Sequence, residues 1–273
     1  MFRNVRALVR GLPHALAISR QMRMFWRGYT TWRFHKLWST SIKSMDTPCQ
    51  TNPLRLFFEA HKEGPGIWKW QHYFDIYHRH LDRFRDRRVR VLEIGIFSGG
   101  SLEMWKNYFG PHCEIYGVDI EPACEVYQKG CVKVFIGDQG DRNFWRRFKH
   151  EVQDVDIIID DGGHLPHQQI VTFEELLPHL RPGGVYICED IHGTLNPFAA
   201  YVYGLAQNLN AGDLAKKNAD NCERCLVYGA SAFQSTVRSI HLYPFVTVVE
   251  RTETAVSELV STKHGTQWQP FLK

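Results

Sequence analysis

An α/β fold built on one doubly wound, mostly parallel seven-stranded sheet, closed by an antiparallel hairpin at its C-terminal edge, is predicted by three observations. Five short runs rich in β-branched residues alternate with helical stretches between residues 88 and 190. Each run ends on a glycine or an acid. Two further runs near the C-terminus are separated only by Pro244, too short a join for anything but an antiparallel pair.

The elements follow in chain order. Arg88–Gly95 (RVRVLEIG) reads as a buried strand that ends on glycine, followed by the turn Phe97-Ser-Gly-Gly-Ser101 and the helical stretch Leu102–Phe109. Glu114–Asp119 and Val132–Asp138 are the second and third strands, each ending on aspartate. Asp154–Asp161 (DVDIIIDD) is the fourth and Gly184–Asp190 the fifth. Strands alternating with helices imply parallel pairing with both faces covered. Ser239–Tyr243 and Phe245–Arg251 form the hairpin, and segment 193–232, with Asn196-Pro197, Tyr201, Tyr203 and Asn208, reads as irregular.

Composition sets outer bounds. The 273 residues are 44% hydrophobic, enough for one sizeable core and a modest appendage. A net charge of +4 from 33 basic and 29 acidic residues gives no general sign of a nucleic-acid partner. Seven scattered cysteines suggest no disulfide framework and fit a reducing, cytoplasmic compartment; Cys222 and Cys225 have zinc-like spacing but lack a second pair. The first 45 residues contain no acid and nine Lys or Arg. Residues 1–50 are therefore set apart as a basic extension: an organelle-targeting segment, a membrane-surface helix or a flexible arm. Arg20, Arg23 and Arg27 interrupt its best apolar run, so no transmembrane segment is expected. Residues 51–273 form the catalytic domain.

In an open parallel sheet, ligands bind beyond the carboxyl ends of the strands where the winding reverses. Gly95, Gly99 and Gly100 would admit a ligand close to the backbone at a helix N-terminus. Asp119 stands where an acid accepts hydrogen bonds from ribose hydroxyls, and Asp138 or Gln139 stands where adenine would be met. Gly95-Ile-Phe-Ser-Gly99-Gly100 does not fit the G-x-G-x-x-G dinucleotide fingerprint, which disfavours NAD. Asp160-Asp-Gly-Gly-His164 and Glu189-Asp-Ile-His192 end neighbouring strands, so Asp161, Glu189 and Asp190 can converge on one hard cation such as Mg²⁺. Consecutive strand residues face opposite ways, so Asp160 and Asp161 are not expected to face that cation together; Asp161 is the choice because the chain leaves the strand there.

The run Leu92-Glu-Ile-Gly95, with strand-end acids after it, resembles the S-adenosylmethionine (SAM)-binding motifs of class I methyltransferases, over nearly all of residues 88–251. The resemblance implies a Rossmann-like sheet and SAM contacts from Glu93, Gly95, Ser98, Gly99, Gly100, Ser101, Asp119, Ile120, Asp138, Gln139 and Asp160. The Asp-x-x-His and Glu-Asp motifs are similar to those of the metal-dependent sugar O-methyltransferases of macrolide biosynthesis and the related rhamnosyl and cephalosporin-pathway enzymes. By that resemblance Asp161, Glu189 and Asp190 hold magnesium and His164 is the base, with His164 and Asp161 the catalytic pair. Tyr73-x-x-x-Tyr77-x-x-His80 matches a stretch that the family places over the pocket, although Gln71 stands where many relatives have histidine. No counterpart of the large N-terminal auxiliary domain of the macrolide enzymes is expected within these 273 residues.

These motifs suit the methylation of a weakly acidic sugar or polyol hydroxyl: a metal lowers the hydroxyl's pKa and orients it, and an imidazole accepts its proton. The expected partner is a glycosylated or hydroxylated small molecule, with no nucleic acid, and the chain is expected to be a homo-oligomer. Two other readings stand beside this one: a catechol-type or other small-molecule methyltransferase, and a noncatalytic SAM-binding protein. Trp68, Trp70, Tyr73, Phe74 and Tyr77 serve equally as a pocket lining or as a buried helix face. His167, His179 and His241 are read as structural.

Overall fold

The computed structural model describes residues 19–31, 52–212, 225–262 and 264–265. The chain divides into two units, Met1–Gln50 and Thr51–Lys273. In the first, residues 19–31 form a helix, α1. All that follows in this and the next subsection concerns the second.

Two helices, α2 (Pro53–Ala60) and α3 (Tyr73–Leu81), precede the sheet. Then come β1 (Val89–Ile94), α4 (Gly100–Phe109), β2 (Cys113–Asp119), β3 (Val132–Ile136), α5 (Arg142–Glu151), β4 (Val155–Asp160), α6 (Pro166–Leu176) and β5 (Leu180–Cys188). After α7 (Pro197–Gln207) come β6 (Cys225–Gly229), α8 (Ala232–Thr236), β7 (Val237–Tyr243), β8 (Val246–Arg251) and β9 (Glu258–Thr262).

The seven-stranded sheet has the order β3-β2-β1-β4-β5-β8-β7. β1 to β5 pair in parallel, whereas β8 runs antiparallel to both β5 and β7. The predicted hairpin is therefore present, and its second strand lies inside the sheet. The winding reverses between β1 and β4, which opens the crevice above their carboxyl ends.

Strand alternation builds two cores. Val91, Ile157, Ile159, Val185 and Ile187 face α3 and α4 and join Tyr77, Trp105 and Phe109 in one cluster. Leu92, Ile94, Ile158, Tyr186 and Cys188 face the other way and join Trp145, Phe148, Phe173 and Phe198. Residues one apart on the same strand thus serve opposite layers, as the period of two requires.

Two features depart from the sequence reading. The segment expected to be irregular contains the regular helix α7, because Asn196 caps it by accepting from the Phe198 and Ala199 amides and Pro197 occupies its first turn. β6 and β9 form a small separate antiparallel sheet that the sequence did not announce. Cys222 and the side chain of Cys225 lie outside the described residues.

Candidate active site

A cavity of about 960 Å³ opens above the carboxyl ends of β1, β2, β4 and β5. One wall is the β1–α4 turn. Gly95 has φ +87°, and a Cβ there would sit 2.0 Å from the Asp161 carbonyl oxygen. Only glycine lets β1 and the β4 loop approach that closely. Gly99, at φ +76°, lies against the Tyr127 ring and opens α4. Asp119 at the end of β2 accepts from the Ile96 and Phe97 amides at 2.8 and 3.0 Å and so fixes the turn.

The acids on the far wall form a connected network. Asp161 follows β4, and its amide donates to the Ile94 carbonyl at 3.0 Å. Glu189 and Asp190 follow β5. Asp161 Oδ1 lies 3.9 Å from His164 Nε2, and Asp190 Oδ2 lies 3.6 Å from the same nitrogen. Ligand atoms of Asp161, His164 and Asp190 all lie within 4.8 Å of one another. His164 has φ +54° and its Nδ1 has no hydrogen-bond partner, so the imidazole is aimed by the backbone rather than anchored from behind.

Glu189 is placed differently. It is fully buried, with Oε1 accepting from the Tyr77 hydroxyl at 2.6 Å and Oε2 from Lys69 Nζ at 2.9 Å. Lys69 also donates to Asp161. A protein ammonium thus bridges Asp161 and Glu189, while the sequence reading assigned both carboxylates to a metal ion. Asp190 accepts from the Tyr73 hydroxyl at 2.6 Å and from Trp70 Nε1 at 3.0 Å. His192 Nε2 is 3.4 Å from Asp190 Oδ1, and its ring packs 4.5 Å from that of Phe245.

The electrostatics follow from three carboxylates around one buried ammonium. Burial alone would depress Lys69, but Asp161, Glu189 and Glu93 hold it above its ordinary value, so it stays charged. Burial, reinforced by Asp161, pushes Glu189 up to about 8 against the pull of Lys69 and Tyr77. Burial lifts Glu93 to about 7 and Asp160 to about 6. The raised values of Glu189 and Glu93 express the crowding of buried acids around one ammonium, which a further bound cation would relieve.

The structure brings most of the sequence candidates to this cavity. Gly95, Ser98, Ser101, Asp119, Ile120, Asp138, Gln139, Asp161, His164, Glu189 and Asp190 all line it. Glu93 and Asp160 stand behind the wall. Glu93 is buried and accepts from Ser101 Oγ at 2.8 Å. Asp160 accepts from Tyr186 at 2.8 Å and from Gln139 at 2.9 Å, on the face opposite Asp161. Gln139 also accepts from the Gly163 amide at 2.7 Å, so its amide group ties the end of β3 to the β4 loop. Asp138 is exposed, and its Oδ1 accepts from the Gly140 amide. Gly99 and Gly100 shape the turn from outside the cavity lining.

The aromatic cluster before β1 divides in two. Trp68, 87% exposed, and Trp70 line the cavity mouth, whereas Tyr73, Phe74 and Tyr77 are buried, with Tyr73 also reaching the cavity wall. Both buried tyrosines reach the acids with their hydroxyls. Lys69 escaped sequence reasoning: nothing local distinguishes a single lysine between two tryptophans from a solvated loop residue.

Residues 92–191 match a family described as a methyltransferase domain. The mycinamicin VI 2''-O-methyltransferase of Micromonospora griseorubida is 41% identical over 122 residues, 42% of this chain and 30% of that protein. The 8-demethyl-8-alpha-L-rhamnosyl tetracenomycin-C 2'-O-methyltransferase of Streptomyces olivaceus is 32% identical over 204 residues, 70% of this chain and 53% of that protein. The chain therefore spans about half or less of the length of these curated relatives. Among solved structures, the MycE methyltransferase of the mycinamycin pathway, in complex with Mg, SAH and mycinamycin VI, superposes with a TM-score of 0.58 at 28% identity, covering 74% of this chain and 53% of that one.

Proposed function

We propose, on the premise that the chain carries a methyltransferase domain over residues 92–191, that it is a SAM-dependent O-methyltransferase acting with Mg²⁺ on a hydroxyl of a sugar-bearing or polyol small molecule. The observation that carries this reading is the convergence of Asp161, His164 and Asp190 in the same cavity as the β1–α4 glycine turn. By their descriptions the relatives named above are O-methyltransferases, one of mycinamicin VI and one of a rhamnosyl tetracenomycin.

The residues fit both groups. The glycine turn, Asp119 and Asp138 surround the side of the cavity suited to a nucleoside, with Ser98, Ser101 and Ile120 beside them. Two carboxylates beside an imidazole, within 4.8 Å, make an oxygen-dominated set suited to a hard divalent ion. Asp161 and Asp190 would hold it. Glu189, held by Lys69 and Tyr77, would complete the carboxylate set from behind. Bound there, the metal would lower the acceptor hydroxyl's pKa, and SAM would supply an electrophilic methyl group.

The chain's own residues do the rest. His164 Nε2, facing the acids, would accept the hydroxyl proton as the oxygen–carbon bond forms and the methyl–sulfur bond breaks, the neutral thioether leaving, and the acids would stabilise the resulting imidazolium. Tyr73 and Trp70 fix Asp190, so that His164 meets a carboxylate of set orientation. Trp68, Trp70, Phe97 and Ile120 are exposed at the cavity, an apolar rim suited to the aglycone of an amphiphilic acceptor.

A second reading rests on Lys69. Its ammonium already bridges Asp161 and Glu189, which favours turnover without a metal ion. Calorimetric titration of SAM with and without Mg²⁺, on wild type, Asp161→Ala and Glu189→Ala, separates the readings. SAM binding throughout, with a Mg²⁺ heat lost in the variants, supports the metal-assisted enzyme. SAM binding with no Mg²⁺ heat supports the Lys69 reading, and no SAM binding overturns both.

A further inference from the structure

Residues 19–31 form a helix whose side chains sort by chemistry around its axis. At 100° per residue, Met22, Phe25, Trp26 and Tyr29 fall within about 100° of arc. Met22 and Trp26 are 60% and 59% exposed, and Phe25 is also exposed. Tyr29 packs on both neighbouring rings, 6.4 Å from Phe25 and 5.6 Å from Trp26, making one continuous aromatic surface. Arg20, Arg23 and Arg27 occupy an adjacent strip of about 60°.

Met22, Phe25 and Trp26 thus present exposed apolar surface on one side of the helix, the mark of an interaction site. The charge around it selects the partner. Residues 1–45 contain nine Lys or Arg and neither Asp nor Glu, so the partner must be negative as well as apolar beneath its charged surface. RNA offers phosphates but no layer into which Met22 and Phe25 could sink. A second copy of this segment would bring like charge against like. An anionic lipid surface meets both demands, with headgroups for the arginines and an acyl boundary for the aromatic stripe. The long arginine stems can reach up to the headgroups while the rings lie below them. The described helix has 13 residues, about 20 Å. No helix among the described residues is long and apolar enough to cross a membrane, so the fit is to a surface.

We propose that α1 is an interfacial anchor that docks the chain on anionic membrane surfaces through Met22, Phe25 and Trp26, with Arg20, Arg23 and Arg27 engaging the headgroups. The reading is independent of the reaction assigned to the catalytic domain. It gives an enzyme for amphiphilic acceptors a place where such acceptors concentrate.

The test is flotation of the full chain with phosphatidylcholine vesicles, with and without roughly one-third phosphatidylglycerol, at low and high salt. Wild type is expected to float only with anionic vesicles and to be released by salt. R20Q/R23Q/R27Q is expected to weaken partitioning roughly a hundredfold, each cation contributing about a factor of five. F25E/W26E is expected to abolish it, with SAM binding and melting temperature unchanged as the folding control. Failure of the wild type to float, or equal binding to neutral vesicles, overturns the proposal. So does salt-sensitive RNA binding, or a self-association lost in F25E/W26E, in a chain that ignores vesicles.

Discussion

Lys69 Nζ donates to Glu189 Oε2 at 2.9 Å, and the pair is sealed from solvent at the floor of the cavity. Because Lys69 also reaches Asp161, one ammonium compensates two carboxylates from different strand ends. Removing it as Lys69→Met leaves both uncompensated, and breaking a buried pair by removing one partner costs about 3 kcal/mol or more. The variant is expected to melt earlier without metal and to bind Mg²⁺ at least about tenfold more tightly, because a repelling charge has gone. Melting curves and Mg²⁺ titration check both. An unchanged or weaker Mg²⁺ affinity would show that Lys69 and the ion do not compete.

That relationship also marks the limit of what the sequence could reveal. The acids at the strand ends were legible because β-branched runs announce strands and the winding rule says which end matters. The period of two separated Asp160 from Asp161, and the end of the strand at Asp161 chose between them: Asp160 turns to Tyr186 and Asp161 to the cavity. Lys69 was not legible, because its partners lie 92 and 120 positions away and no local pattern encodes them. Tyr73 and Tyr77 were seen as aromatics four apart, but their value lies in hydroxyls that meet Asp190 and Glu189, again across more than 100 positions. Asp119 was read as a ribose acceptor, whereas its visible work in the structure is holding the turn amides of Ile96 and Phe97. The small sheet of β6 and β9 went unseen because short strands joined across a long connection give no periodic signal.

His164 stands 3.6 and 3.9 Å from the Asp190 and Asp161 oxygens, close enough to be steered by them. His164→Asn keeps a polar side chain but has no comparable basicity. Turnover is expected to fall by roughly 10² to 10⁴, the usual contribution of a general base, with SAM affinity within a few-fold of wild type. Single-turnover kinetics beside SAM titration checks the split. Loss of SAM binding in step with turnover would move His164 from proton transfer to donor binding.

Gly95 is a structural requirement of the β1–β4 junction. Its φ of +87° and the 2.0 Å clash that a Cβ would make with the Asp161 carbonyl act together, and that atom is backbone with little room to shift. Gly95→Ala is expected to destabilise the domain by about 3 kcal/mol or more and to weaken SAM binding. Denaturant melts measure the first effect. A loss under about 1 kcal/mol would mean that the β4 loop retreats readily, and Asp161 would then be held less rigidly than the geometry implies.

Glu93 gives the fold a pH dependence separable from the acids of the far wall. Burial raises its carboxyl from 4.5 to about 7, so between those values the folded chain holds a proton that the unfolded chain has released. Stability therefore falls as pH rises through that window, by at most about 3 kcal/mol from this group. Glu93→Gln is nearly isosteric, keeps an acceptor for Ser101 and removes the titration. Its melting temperature is expected to exceed that of wild type above pH 7, with the difference shrinking toward zero as the carboxyl of the unfolded wild-type chain also becomes protonated near pH 4.5. Melts of both proteins across that range decide the matter. A difference that does not vary with pH would mean that Ser101, Lys69 and the surrounding dipoles already stabilise the Glu93 carboxylate fully.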